Sequence, residues 1–197
     1  MRKEQKANYP ESARGAAALL VRMVLEDGAY TNIALNQYLR GSRLSDLDRR
    51  LATELVYGTV KASGTLDWYL AQCVSRPLDK VAGDILAILR ISTYQLLYMT
   101  RIPASAAVNE AVKLARSVSH EGSAKFVNGV LRGLLRKQEA GAFVLPDAEK
   151  QDADYLSLKY YHPRWLVKRW LGPWGRGGTE RLLAFDNAAA PVCLRAN

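Results

Sequence analysis

SAKFVNGVLRGLLRK (residues 123–137) carries its apolar residues at the three- and four-residue intervals of a helix. On a wheel at about 100° per residue, Phe126, Val127, Val130, Leu131, Leu134 and Leu135 fill one broad half. Lys125, Arg132 and Arg136 fall together within about 40° on the other side. Gly129 lies beside these cations, Gly133 lies between them and the apolar half, and Asn128 sits at the opposite border. Each mid-helix glycine costs roughly 1 kcal/mol relative to alanine. At Gly129 the missing Cβ reads as cleared surface, where a backbone such as a phosphodiester can come close to three cations. Gly133, nearer the apolar half, reads as room for a neighbouring helix.

The rest of the chain agrees with a basic helical protein. The 28 Lys and Arg outnumber the 19 Asp and Glu, giving a formal charge of +9, and the excess is spread along 197 residues without a polybasic tail. A globular chain of this charge suits a polyanionic partner. Two distant cysteines, Cys73 and Cys193, imply no disulfide framework and fit a reducing, cytoplasmic setting. Cys73 reads as a small core residue, and nothing local to Cys193 would lower its pKa. Two histidines, His120 and His162, give no local metal-ligand spacing. No stretch reaches the ~18 uncharged apolar residues of a membrane span. The early run GAAALLV (15–21) is cut by Arg22 and reads as a helix, not a signal peptide.

Hydrophobic periodicity predicts seven helices before residue 140. The first covers residues 11–27, with Leu19, Leu20, Met23 and Val24 on one side, and stops at Gly28. A short second helix runs from Thr31 to Leu39. Ser45 caps a third over 46–62, with Leu47, Leu51, Leu55 and Val56 inward. A fourth covers 64–74 and is closed by Pro77. The fifth, 79–99, is the most apolar and therefore central. Pro103 opens a sixth, 103–118, and HEG (120–122) separates it from the seventh. From residue 138 the texture turns to Gly, Pro and charge, so the boundary falls near 140, with residues 141–197 as a linker and the start of a second module. Short helices are expected at 152–160, 163–171 and 179–187, with GPWGRGG (172–178) as a turn. PVCLRAN (191–197) reads as the opening of a strand with no partner, hence as the start of another domain.

No phosphate-cradling loop, metal motif or nucleophile elbow is present, so no catalytic residue is assigned. Glu110 and Asp67 read as caps or ion-pair partners. Arg14, Lys61 and Arg90 could extend the basic patch. Tyr94 could stack on a base, whereas Trp68 and Tyr98 read as core.

KFVNGVL (125–131) resembles a signature of the NusB family, helical RNA-binding proteins of bacterial transcription antitermination. LATELVYGTV (51–60), ILRISTYQLLYMTRIPASAAVNEAVKLA (88–115) and KFVNGVLRGLL (125–135) resemble the NusB-like amino-terminal domain of the small-subunit ribosomal RNA cytosine-C5 methyltransferases, the RsmB/Sun family. In that family FVNGVL is typically followed by Arg, as by Arg132 here. YYHPRWLVKRWLGPWG (160–175) and NAAAPVCLRAN (187–197) resemble the segment leading to the methyltransferase half. Two positions depart from the family: Ser92 stands where Gly is commoner, and Lys61 where Arg is, which keeps charge but loses the guanidinium fork.

The resemblance implies an all-α fold of two packed three-helix bundles plus an extra helix, with RNA contact at Arg14, Lys125, Asn128 and Arg132. Arg136 is added from the wheel. It implies small-subunit ribosomal RNA as partner, together with the protein's own methyltransferase domain. S-adenosylmethionine and a cysteine nucleophile attacking cytosine C6 are expected in that domain, beyond residue 197; neither Cys73 nor Cys193 matches their context. A second expectation is a NusB-like protein-interaction module docking a ribosomal protein. Its mark would be an exposed, charge-poor apolar patch on the helices spanning 64–118.

Overall fold

The computed structural model describes residues 8–189 together with Cys193 and Arg195. The chain divides into two units, Met1–Val144 and Leu145–Asn197. The described residues are helical and contain no strand; the expected strand at 191–197 lies largely outside them.

The first unit holds α1 (Ala13–Leu25), α2 (Thr31–Gly41), α3 (Asp46–Ala71), α4 (Gly83–Tyr98), α5 (Ala104–Val118) and α6 (Glu121–Glu139). Leu78–Lys80 form a single 3-10 turn before α4, overlapping the start of the span expected to be helix. Helices α1, α3 and α4 pack mutually, and so do α4, α5 and α6. The two three-helix groups thus share α4. That helix lacks a wholly polar face: Ile85, Leu86, Ala87, Ile88, Leu89 and Ile91 are all buried.

Small residues set the first group. Ala13, Ala16, Ala17 and Ala18 of α1 are buried and let α3 and α4 approach closely. Leu20 and Val21 complete the buried face, while Leu19, Met23 and Val24 are half-buried. Ser12 caps α1 by accepting from the Gly15 amide at 3.1 Å. The third and fourth expected helices are one 26-residue helix, α3. Gly64 does not break it, because one glycine's propensity cost is small against the packing along its length. Leu47, expected inward, is 76% exposed. It lies about 120–180° around the helix from the buried residues Ala52, Val56 and Thr59, and Leu44, just before the cap, packs with Ala13, Ala16 and Ala52 instead.

The second group presents α6. The break expected at HEG falls at Ser119 and His120; His120 caps α6, its Nδ1 accepting from the Ser123 amide at 3.3 Å, and Glu121 and Gly122 are already helical. Ala124, Val127, Val130, Leu131 and Leu134 are buried against α4 and α5. Lys137 Nζ donates to the Gln72 carbonyl at 2.5 Å, tying the last turn of α6 to the end of α3. Ser92 has its hydroxyl satisfied by the Ile88 carbonyl at 2.7 Å, which explains how α4 accommodates it.

The second unit packs α7 (Asp152–Tyr160) against α8 (Arg164–Asn187). Tyr161 turns the chain in the left-handed region at φ 60°. Ala153, Leu156, Val167 and Leu183 form the core, with Trp170 and Leu171 against it. The expected turn at GPWGRGG is a kink: Gly175 has φ 60° two residues after Pro173, so α8 is two helical segments.

A Cβ at Gly15 would collide with the Pro10 carbonyl oxygen, whereas one at Gly64 would meet nothing within 4 Å. Gly15→Ala should therefore lower stability to urea by about 1–3 kcal/mol. Gly64→Ala should raise it by up to about 1 kcal/mol. Similar effects of the two would contradict this packing.

Candidate nucleic-acid interface

Burial of one half of α6 fixes what the other half shows. Lys125, Gly129, Arg132 and Arg136 are exposed in one row, and Asn128 is half-buried at its edge. Arg132 Nε donates to Asn128 Oδ1 at 3.0 Å, one turn back, so the two side chains are set together and the Asn128 amide nitrogen is left to donate outward. Glu121, one turn before Lys125, is gripped by Arg116 through two bonds of 2.6 and 3.2 Å. Its carboxyl is held below the usual range mainly by Arg116, with Lys125 adding.

The flank of α6 toward the end of α3 is open. A Cβ at Gly129 would meet nothing within 4 Å, and one at Gly133 would meet only the Arg136 guanidinium at 3.8 Å. No helix fills the space at Gly133, which corrects the expectation of helix packing there. Both glycines line a cleft of about 330 Å³ with Gln72, Cys73, Arg136 and Lys137. A second cleft on α6, about 290 Å³, is lined by Arg76, Lys80, His120, Gly122 and Phe126 among others. Between its walls the Arg76 guanidinium lies 4.6 Å from the Phe126 ring centre. No carboxylate lines either cleft. Arg76, Lys80 and Lys137 were not legible as neighbours of this face: two come from the α3–α4 connection, and Lys137 lies outside the cationic arc of the wheel.

The remaining candidates are placed elsewhere. Arg14, in the first turn of α1, donates from Nε to the buried Gln95 of α4 at 2.8 Å. Its charge also reaches Glu110 of α5, whose carboxyl is lowered chiefly by its bond to Lys113. Lys61 is exposed on the outward side of α3. Arg90 is corrected from surface to structure: its Nε and Nη2 each bond Asp67 at 2.8 Å, and its side chain is 11% exposed. Tyr94 is a packing residue. Its ring fills the space over Gly58 and its hydroxyl donates to Glu54 at 2.7 Å. Asp67 and Glu110 are thus both ion-pair partners. Burial pushes the Cys73 thiol up, with Lys137 opposing, which disfavours a nucleophilic thiolate. Cys193 is exposed. Among the described residues no group of His, Cys, Asp or Glu could hold a metal, and no helix is long and apolar enough to cross a membrane.

An α-helical fold of two triplets about one buried helix, with a cationic outer helix, is the architecture of a known class, and the comparisons identify it. Residues 11–136 match the NusB family, and the chain belongs to it. It is 40% identical over 186 residues to the probable ribosomal RNA small subunit methyltransferase B of Synechocystis sp., covering 94% of this chain and 41% of that protein. It is 34% identical to the Bacillus subtilis protein of the same description, with 94% and 40% covered. The chain therefore spans about two fifths of the length of these curated relatives. Among solved structures, the crystal structure of antitermination factors NusB and NusE in complex with dsRNA matches with TM-score 0.59 and 21% identity, over 65% of this chain and 96% of that one. The crystal structure of PH0851 matches with TM-score 0.68 and 19% identity, over 94% of this chain and 40% of that one. At these identities the structures show the fold.

Arg90→Ala should cost about 2 kcal/mol of stability by stripping a half-buried carboxylate of its partner, with RNA affinity unchanged. A loss of affinity at unchanged stability, read by denaturation and filter binding, would return Arg90 to the interface.

Proposed function

We propose that this chain is the RNA-binding amino-terminal region of a ribosomal RNA (cytosine-C5) methyltransferase, acting in the cytoplasm to position small-subunit ribosomal RNA. The carrying observation is the exposed row Lys125, Gly129, Arg132 and Arg136 on α6, with open space where the glycines lack side chains. Lys125, Arg132 and Arg136 contact phosphates, and Gly129 lets the backbone approach. The Asn128 amide, steadied by Arg132, donates to a base or sugar. Arg14 contributes from the start of α1.

Chemistry belongs to a methyltransferase domain outside these residues, which would bind S-adenosylmethionine and supply the nucleophilic cysteine. The likeness over about two fifths of the relatives' length supports this division. This region supplies affinity and register, and the catalytic domain takes the cytosine out of its stack. The rival role, docking a ribosomal protein as an antitermination module, is less favoured. Among the described residues, the large exposed apolar side chains are Tyr30, Ile33, Leu47, Tyr57, Val144, Trp165, Trp174 and Phe185, and none lies in 64–118.

The test is binding of a small-subunit ribosomal RNA fragment at two salt concentrations, wild type against Lys125→Ala/Arg132→Ala. The variant should bind more weakly, with a salt slope shallower by roughly 0.7–0.9 per lost phosphate contact. Equal affinities and slopes would reject the α6 face as the RNA site.

A further inference from the structure

We infer that the first segment of α8 is a separate single-stranded RNA contact, with Trp165 as a stacking platform between Lys168 and Arg169. It goes beyond the α6 reading, since it lies in the second unit and uses other residues.

The core of the second unit does not need Trp165. Val167 is fully buried, Trp170 and Leu171 pack against it, and Trp165 points away, 65% exposed. On the helix wheel Trp165, Lys168, Arg169 and Gly172 fall within about 100° of one another. All four are exposed. Arg164, next in sequence, is committed to Asp154 through its Nε and Nη2. Lys168 and Arg169 have no ion-pair partner among the described residues. Residues 164–179 contain Arg164, Lys168, Arg169 and Arg176 and not one Asp or Glu. Gly172 keeps the end of this face low, one turn beyond Lys168.

An indole exposed to water between two free cations, with no acid on the face, matches one polymer well. A base stacks on the ring, and the phosphates on either side meet Lys168 and Arg169. A duplex hides its base faces, so the site requires an unpaired strand. An apolar protein surface would leave two cations buried without partners, which is why the nucleic acid is favoured over it.

The experiment uses the whole chain and an octameric oligouridylate, with an RNA duplex of equal length as comparison. Tryptophan emission and fluorescence anisotropy are read together for four proteins: wild type, Trp165→Phe, Lys168→Ala/Arg169→Ala, and Lys125→Ala/Arg132→Ala. The single strand should quench wild-type emission, and most of that quench should vanish in Trp165→Phe, which keeps a stacking ring. Lys168→Ala/Arg169→Ala should weaken single-strand binding about tenfold, with a salt slope shallower by about 1.4 for two contacts. The duplex should produce no quench. If the α8 variant binds the single strand as wild type does, or emission stays unchanged at saturation, the inference is overturned. That result leaves the α6 reading to its own variant. Conversely, loss confined to the α8 variant, with Lys125→Ala/Arg132→Ala unaffected, would support this site as separate from the α6 face. Absence of any single-strand binding would overturn this inference and leave the α6 reading to its test on the ribosomal RNA fragment.

Discussion

Everything in the first unit hangs on the burial of α4. A helix with Ile85 through Leu89 and Ile91 all buried must be covered on several sides, and no single partner can do that. The chain solves it with two triplets that share the helix, α1 and α3 on one side and the α5–α6 hairpin on the other. Several polar groups on α4 are absorbed internally, although the buried Thr93 hydroxyl has no hydrogen-bond partner among the described residues. Ser92 donates to Ile88, Gln95 donates to Ile91 and accepts from Arg14, and Arg90 reaches out to Asp67. Covering α4 uses one half of α6 and leaves the other half outward.

That division gives the glycines of the unit two different meanings. Gly15 and Gly58 sit where the fold itself comes close, under Pro10 and under the Tyr94 ring. A side chain there would fight the protein. Gly129 and Gly133 face a cleft, and the protein places nothing against Gly129 and only the Arg136 guanidinium near Gly133. Their cost to helix stability has no return within the first unit. Together with cations on the same face, that unfilled space is what an approaching phosphodiester would use. The same contrast holds among the arginines: Arg90 is held by Asp67 and Arg116 by Glu121, while Arg132 grips only the neutral Asn128.

Much of this was legible in the sequence, because local rules governed it. The amphipathic α6, the central α4, the cap at Ser45 and the cationic arc follow from spacing and side-chain chemistry. The failures are tertiary. Gly64 suggested a break that packing along α3 overrides. Leu47 fits a helical apolar pattern but lies off the stripe that Leu44, Ala52 and Val56 define. Arg90 looks like any other cation until Asp67, on another helix, is placed beside it. Arg76 and Lys80 become neighbours of Phe126 and Gly122 only once the α3–α4 connection folds against α6. The helices expected at 163–171 and 179–187 both belong to α8, and the turn expected between them is a kink at Gly175, because one glycine at positive φ suffices to redirect the chain.

The central claim is that the open flank of α6 is kept for a ligand and not for the fold. Replacing both glycines at once, Gly129→Leu with Gly133→Leu, tests it in one protein with two readouts. Leucine is a far better helix former than glycine, so the variant should resist urea at least as well as wild type and keep its helical circular dichroism. Its affinity for the ribosomal RNA fragment should fall about tenfold or more as the side chains fill the cleft. A variant that unfolds early would show that the glycines serve packing. A stable variant with unchanged affinity would show that nothing approaches that flank, and either result would contradict the account.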